Sequence, residues 1–246
     1  MGISKSLLAM GLTFLALLLP AVSTQAQSLS SPTQAGMRAI GNGVFLDPEL
    51  PTDVREQIPG LVEEAKMRVA QYYGSLLAKP NLVFCGSADC FRGFGGCGLG
   101  FTNGEHIVIS PQGIRPAIIA HELTHVELVT RVGGFSRVLE RVPQWFDEGM
   151  AVMVSEAEEF SDDAWLKASG NGKNAPDLTA LESVEQWTRL TGSQGENMQL
   201  TYGTAKREVA RWFTKVGSAG FRELLDSLKR DETFLHAYRR IETQQS

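Results

Sequence analysis

Residues 116–132 read PAIIAHELTHVELVTRV, and the five at their centre, His121-Glu122-Leu123-Thr124-His125, decide how the rest of the chain is read. Pro116 suits the first helical position, where its missing N–H is no loss, and no breaker follows until Gly133-Gly134, so the stretch is expected to be a helix. Histidines four residues apart project from one helix face, one turn above the other, where both imidazoles reach a single ion. Glu122 stands about 100° round from His121, close enough to meet a water on that ion without entering the ligand shell, which is the position of a general base. Half of the chain's four histidines are spent here. Two hydrogen-bonded core histidines beside a solvated Glu122 would give the same letters without chemistry, so the remaining sequence has to supply a third ligand.

A catalytic zinc takes three protein ligands and keeps one position open for water. A third histidine in the pattern His-Glu-x-x-His-x-x-Gly-x-x-His is excluded, because Leu128 stands at the glycine and Arg131 at the final histidine. His106, just before a strand, and His236, near the C-terminus, have no partner at ligand spacing. A carboxylate from a downstream helix remains. Pro143 can open a helix over residues 144–156 that carries Trp145-Phe146-Asp147-Glu148-Gly149-Met150-Ala151, and Glu148 there lies beside a small residue that lets helices approach closely.

The two segments together resemble the gluzincin metallopeptidases, the group that includes thermolysin and the aminopeptidase N-like enzymes, in which a Trp-x-x-Glu-Gly-x-Ala segment often follows the His-Glu-x-x-His helix and supplies the third zinc ligand. The match is best over residues 118–154, and the 22 residues between His125 and Glu148 are more than the well-known members have. Tyr202, in Thr201-Tyr202-Gly203-Thr204-Ala205, resembles the Tyr-x-x-Ala segment of small bacterial peptidase-like members. The resemblance implies zinc held by His121, His125 and Glu148, Glu122 as the base, and a peptide or protein as substrate. Tyr202 would either donate its phenol to the oxyanion of the reaction or serve as a core tyrosine on an apolar stripe. Asp147 is read as a structural or ligand-supporting charge, Glu127 as a surface or packing charge, and the acidic residues Glu156, Glu158, Glu159, Asp162 and Asp163 as a solvated face.

Outside these helices the chain is ordinary in composition, with 43% hydrophobic and 21% charged residues among 246, which fits a globular fold and excludes collagenous or multi-span membrane classes. Residues 1–26 have one charge, Lys5, then an apolar run over 7–19 and small or polar residues, the form of a cleavable export signal. Its removal leaves one domain over residues 27–246 with a net charge of about −6. Neither that charge nor any basic stripe favours nucleic acid, and no later segment is apolar enough for stable membrane insertion. The destination is periplasmic or secreted, where one disulfide among Cys85, Cys90 and Cys97 with one thiol left over is the simplest count. Strands are expected over residues 43–46, 81–85 and 106–110, a glycine-rich loop over 86–104, and helices over 60–73 and 201–216 and in the apolar patterns ending at Leu228 and Ile241. The expected fold is α+β: a mostly helical, zincin-like domain with a small sheet packed on the metal-bearing helix. Two other readings use the same residues: an inactive scaffold of this shape, or a zinc hydrolase of a non-peptide amide or ester.

Overall fold

Leu82, Val83 and Phe84, and later Ile107, Val108 and Ile109, are apolar at consecutive positions, the pattern of strands covered on both faces. In the computed structural model, which describes residues 31–192 and 195–244, both segments are interior strands of a five-stranded mixed sheet. The elements in chain order are β1 (Arg38–Gly41), β2 (Val44–Leu46), α1 (Thr52–Tyr73), β3 (Asn81–Phe84), α2 (Ala88–Gly93), β4 (Gly100–Thr102), β5 (His106–Ile109), α3 (Pro116–Val132), α4 (Phe135–Arg141), α5 (Gln144–Ser155), α6 (Asp162–Ala168), α7 (Val184–Thr191), α8 (Met198–Lys229) and α9 (Phe234–Gln244). The fold is α+β and mostly helical. The expected export signal lies outside the described residues, among which no helix is long and apolar enough to cross a membrane.

The strand order is β1-β2-β3-β5-β4, with β2–β3 and β3–β5 parallel and the outer pairs antiparallel. Parallel neighbours require a crossover, and α1 provides the one between β2 and β3. Alternation along the strands sorts their side chains: Leu82, Phe84, Ile107 and Ile109 enter the main core, while Val83 and Val108 join Met37 and Phe91 in a smaller cluster on the opposite face. α3 belongs to the main core, touching β4 and β5 of the sheet as well as α1, α5 and α8. Its end is set by Gly133, whose φ of 104° is a left-handed turn that most side chains resist.

Several elements depart from expectation. α1 begins at Thr52 and runs through Pro59 and Gly60, burying Ile58, Val62, Ala65, Val69 and Tyr73; Leu61 and Tyr72 are only partly covered. Proline forfeits one helical hydrogen bond there, but the buried stripe continues on both sides of it. The glycine-rich segment is not a plain loop, since it contains α2, capped by the Ser87 side chain, and the edge strand β4. Residues 135–141, which have no assignment from sequence, form α4. α8 spans both apolar patterns on either side of Gly217, whose φ of 63° and ψ of −174° break the helical backbone between them. Cys85 and Cys90 are joined and Cys97 is free.

Glu127 is buried, not a surface charge. Its carboxylate accepts hydrogen bonds from the backbone N–H groups of Leu77 and Ala78 at 2.7 and 2.8 Å and from Arg131 at 2.9 Å, tying the α1–β3 connection to α3.

Candidate metal centre

One turn of α3 separates His121 from His125, and their Nε2 atoms stand 3.1 Å apart. α5 carries Glu148 to them, placing Oε2 3.5 Å from His121 Nε2 and 3.8 Å from His125 Nε2. Gly149 lets α5 pack closely on α8, because a Cβ there would lie 2.7 Å from the Ala205 carbonyl oxygen and equally close to Val209 Cγ2. The long interval between His125 and Glu148 is occupied by the end of α3 and by α4, so it displaces nothing at the site.

These three side chains fit zinc. A tetrahedral zinc with ligand bonds of 2.0–2.2 Å spaces its ligand atoms about 3.3 Å apart, and the three edges measured here surround that value. Two imidazoles with one carboxylate suit zinc, whereas calcium and magnesium take oxygen-rich shells. Glu148 Oε2 and Glu122 Oε1 are also buried without a hydrogen-bond partner. An orphaned buried polar atom of this kind costs on the order of 1–3 kcal/mol, more when charged, and a cation between the imidazoles removes that penalty for Glu148.

Neighbouring groups fix the orientation of the three. Asp147, one residue from Glu148 and therefore turned about 100° round α5, reaches His125 Nδ1 at 2.6 Å. With its Nδ1 proton donated to that carboxylate, the neutral ring would keep its Nε2 lone pair for an ion between His121 and Glu148. Gln144, one turn before Glu148, donates from Nε2 to Glu148 Oε1 at 3.0 Å, which leaves Oε2 facing the imidazoles. Burial pulls the His125 imidazole down, but Asp147, Glu148 and Glu122 together push its pKa up to about 10. Burial lowers His121, partly opposed by Glu148. Glu122 is pushed up to about 8, by burial above all and against the pull of His125, with Glu148 and Asp147 adding to the rise. Three carboxylates and two imidazoles thus meet in one largely buried space.

A pocket of about 110 Å³ opens on Glu122, His125 and Glu148. Val126, Val129, Phe135, Val138 and Val184 make one wall apolar, and Gly100, Phe101 and Thr102 of β4 form another. Gly100 sits directly on the base: a Cβ there would fall 2.7 Å from Glu122 Oε1 and 2.9 Å from Ile118 Cγ2. β4 pairs with β5 alone, so its second edge is unpaired among the described residues. Cys97 is also on the rim.

The structure therefore brings His121, Glu122, His125 and Glu148 together and leaves Tyr202 out of the pocket wall. Tyr202 is buried, stacked on Phe160 at 5.0 Å and edge-on to Trp187 at 4.8 Å. Burial, with Glu148 nearby, raises its phenol well above the usual value. His106 and His236 pair elsewhere, with Asn81 and Glu232. Of the acidic group, Glu159 binds Arg115 and Asp162 lies 3.2 Å from Arg207, while Glu156, Glu158 and Asp163 are exposed. Gln144 and Gly100 are the site residues that sequence reading passes over. Gln144 was detectable from its i, i+4 spacing to Glu148, and Gly100 from being a glycine inside a short strand, a mark of close backbone approach.

No family model matches the chain, and no curated protein or solved structure matches it either.

Proposed function

We propose that this protein is an exported zinc-dependent peptidase of the gluzincin type, with His121, His125 and Glu148 as metal ligands and Glu122 as general base. The observation that carries the reading is the convergence of two imidazole nitrogens on a buried carboxylate oxygen that has no hydrogen-bond partner, beside a second such oxygen on Glu122. A zinc ion held there supplies Lewis acidity and brings the pKa of a water toward neutrality. Glu122, free of any hydrogen bond at Oε1 and with its proton affinity raised by burial, accepts a proton from the attacking water and returns it to the leaving amine. Asp147 holds the His125 ring, and Gln144 holds the Glu148 carboxylate, so neither ligand swings during the reaction. The open edge of β4 along the pocket favours a polypeptide over a small ester, since an extended chain can pair with such an edge. The Cys85–Cys90 disulfide agrees with an oxidising destination outside the cytosol.

The test is metal analysis of the purified chain together with digestion of a mixed peptide library, run beside Glu122→Gln and His121→Ala. Stoichiometric zinc in wild type and in Glu122→Gln, with cleavage by wild type alone, is the expected result. Absence of stoichiometric zinc from wild type refutes the assignment, and zinc without cleavage by any form turns the reading to the inactive scaffold.

A further inference from the structure

α4 carries no ligand, no base and no group that holds one, yet it faces the metal centre. Phe135, Val138 and Leu139, spaced i, i+3 and i+4, share one face of this helix, and all three line the pocket that opens on Glu122, His125 and Glu148. Val126 and Val129 stand on the face of α3 that bears Glu122 and His125, because offsets of three, four and seven residues from Glu122 keep side chains on one side of a helix. Val184, at the start of α7, completes the apolar wall.

These side chains differ in what else they do. Val126, Val129 and Val138 are part of the main core or pack on it, whereas Phe135, Leu139 and Val184 belong to neither hydrophobic cluster. Leu139 is 42% exposed. Three apolar side chains from two helices thus gather at the pocket without serving the packing of the fold, and a ligand that covers them gains in proportion to the apolar area removed from water. Their wall is uncharged: the ionisable lining residues are Cys97, Glu122, His125, Asp147 and Glu148, none of which stands on α4 or α7. Size sets the limit. An apolar cavity of about 150 Å³ takes up benzene, and this pocket is smaller at about 110 Å³, so a branched aliphatic chain suits it better than an aromatic ring.

We propose that Phe135, Leu139 and Val184 are specificity-determining residues that receive an aliphatic side chain of the substrate, that of leucine, isoleucine or valine, from a residue flanking the scissile bond. The same pocket includes Glu122 and Glu148, so the residue that enters it is one adjoining the bond on which they act. This deepens the peptidase reading and rests on it for the position of that bond.

The test is a set of peptides of one sequence, varied to Ala, Leu, Phe, Asp or Lys at each of the two residues flanking the scissile bond. Cleavage by the zinc-loaded wild type gives kcat/KM, and fluorescence anisotropy with the zinc-loaded Glu122→Gln protein gives affinity without turnover. At one of the two positions Leu is expected to exceed Ala by about 10- to 100-fold in both quantities, the scale of an apolar side chain entering a hydrophobic pocket, with Phe below Leu and with Asp and Lys lowest. Phe135→Ala enlarges the pocket and should reverse the order of Leu and Phe. Leu139→Asp charges the wall at an exposed position and should cut the advantage of Leu over Ala below about threefold. Thermal melts establish that each variant is folded, and Phe135→Val replaces the alanine variant if that one is not. A wild type that treats Ala, Leu and Asp alike at both positions overturns the proposal, as does a folded variant of either residue that keeps the wild-type order and ratios. Cleavage without any such preference refutes the subsite alone. An aliphatic preference in binding with no cleavage of any peptide refutes the peptidase reading and leaves the subsite standing.

Discussion

Asp147 and Glu148 are adjacent carboxylates with different work, and one helical step separates the two jobs. Glu148 turns inward between the imidazoles, while Asp147 turns to the outer nitrogen of His125. Replacing Asp147 by Asn keeps the shape and removes the charge that stabilises the ring as a ligand, so zinc affinity should fall about 10- to 100-fold in a competitive chelator titration. Unchanged affinity would show that the 2.6 Å contact has no bearing on the metal. The metal-free protein should respond to pH through the same cluster. Glu122 has a folded pKa of about 8, above its ordinary 4.5, and His125 one of about 10, above 6.5. Between pH 6.5 and 8 the folded state therefore keeps protons that the unfolded state has released, and stability falls as pH rises, by at most about 1.4 kcal/mol per pH unit for each retained proton. Thermal melts of the chelated protein should show Tm decreasing over that window. The decrease should be shallower in Glu122→Gln, which has one fewer group to titrate. A chelated protein more stable at pH 8 than at 6.5 would contradict both shifts.

At the level of elements, the edge strand β4 is held to α3 by the absence of a side chain at Gly100. Gly100→Ala inserts a methyl 2.7 Å from Glu122 Oε1, so either β4 moves away or the base turns aside. Peptide cleavage should drop about 10- to 100-fold, the scale of a misplaced catalytic group, with zinc content measured by metal analysis unchanged because no ligand has moved. Loss of zinc along with activity would mean that β4 supports the ligands as well. The contact also explains which parts of the site were readable beforehand. The His121, Glu122 and His125 relation is local, one turn of one helix, and it needs only helix geometry. Glu148 was legible because Gly149 and the residues around it signalled a second close-packed helix. Asp147 was legible as a ligand-supporting charge, but which histidine it meets depends on how α4 turns the chain over the intervening residues. β4 has three residues, too few to display alternation, and it vanished among the glycines. α1 starts eight residues before the expected Gly60, because the spacing of Leu61, Ala65, Val69 and Tyr72 alone cannot show that Ile58 is buried on the same stripe. Tyr202 occupies an apolar stripe whose position in sequence serves core and cleft equally, and its packing on Phe160 and Trp187 is a tertiary contact that the stripe does not reveal.

Across the whole molecule, α3 is the member that joins the sheet to the helical part, touching β4 and β5 on one side and α5 and α8 on the other. An ion shared by His121, His125 and Glu148 would clasp α3 to α5 through that junction, so metal binding and folding should be one equilibrium. A ligand that binds only the folded state stabilises it by RT ln(1 + [L]/Kd), about 4.1 kcal/mol when free zinc is 1,000 times Kd. In a chain of this size 1 kcal/mol moves Tm by about 2–4 °C, so chelation should lower the calorimetric Tm by roughly 8–16 °C, and added zinc should restore it. The variants separate ligand from base. Glu148→Gln should lose most of the zinc-dependent shift, because a neutral amide oxygen is a poor replacement for the only carboxylate of the triad. Glu122→Gln should keep it, since Glu122 acts on a proton and does not grip the ion. Equal losses in both variants would place Glu122 among the ligands and leave the hydrolysis without its base.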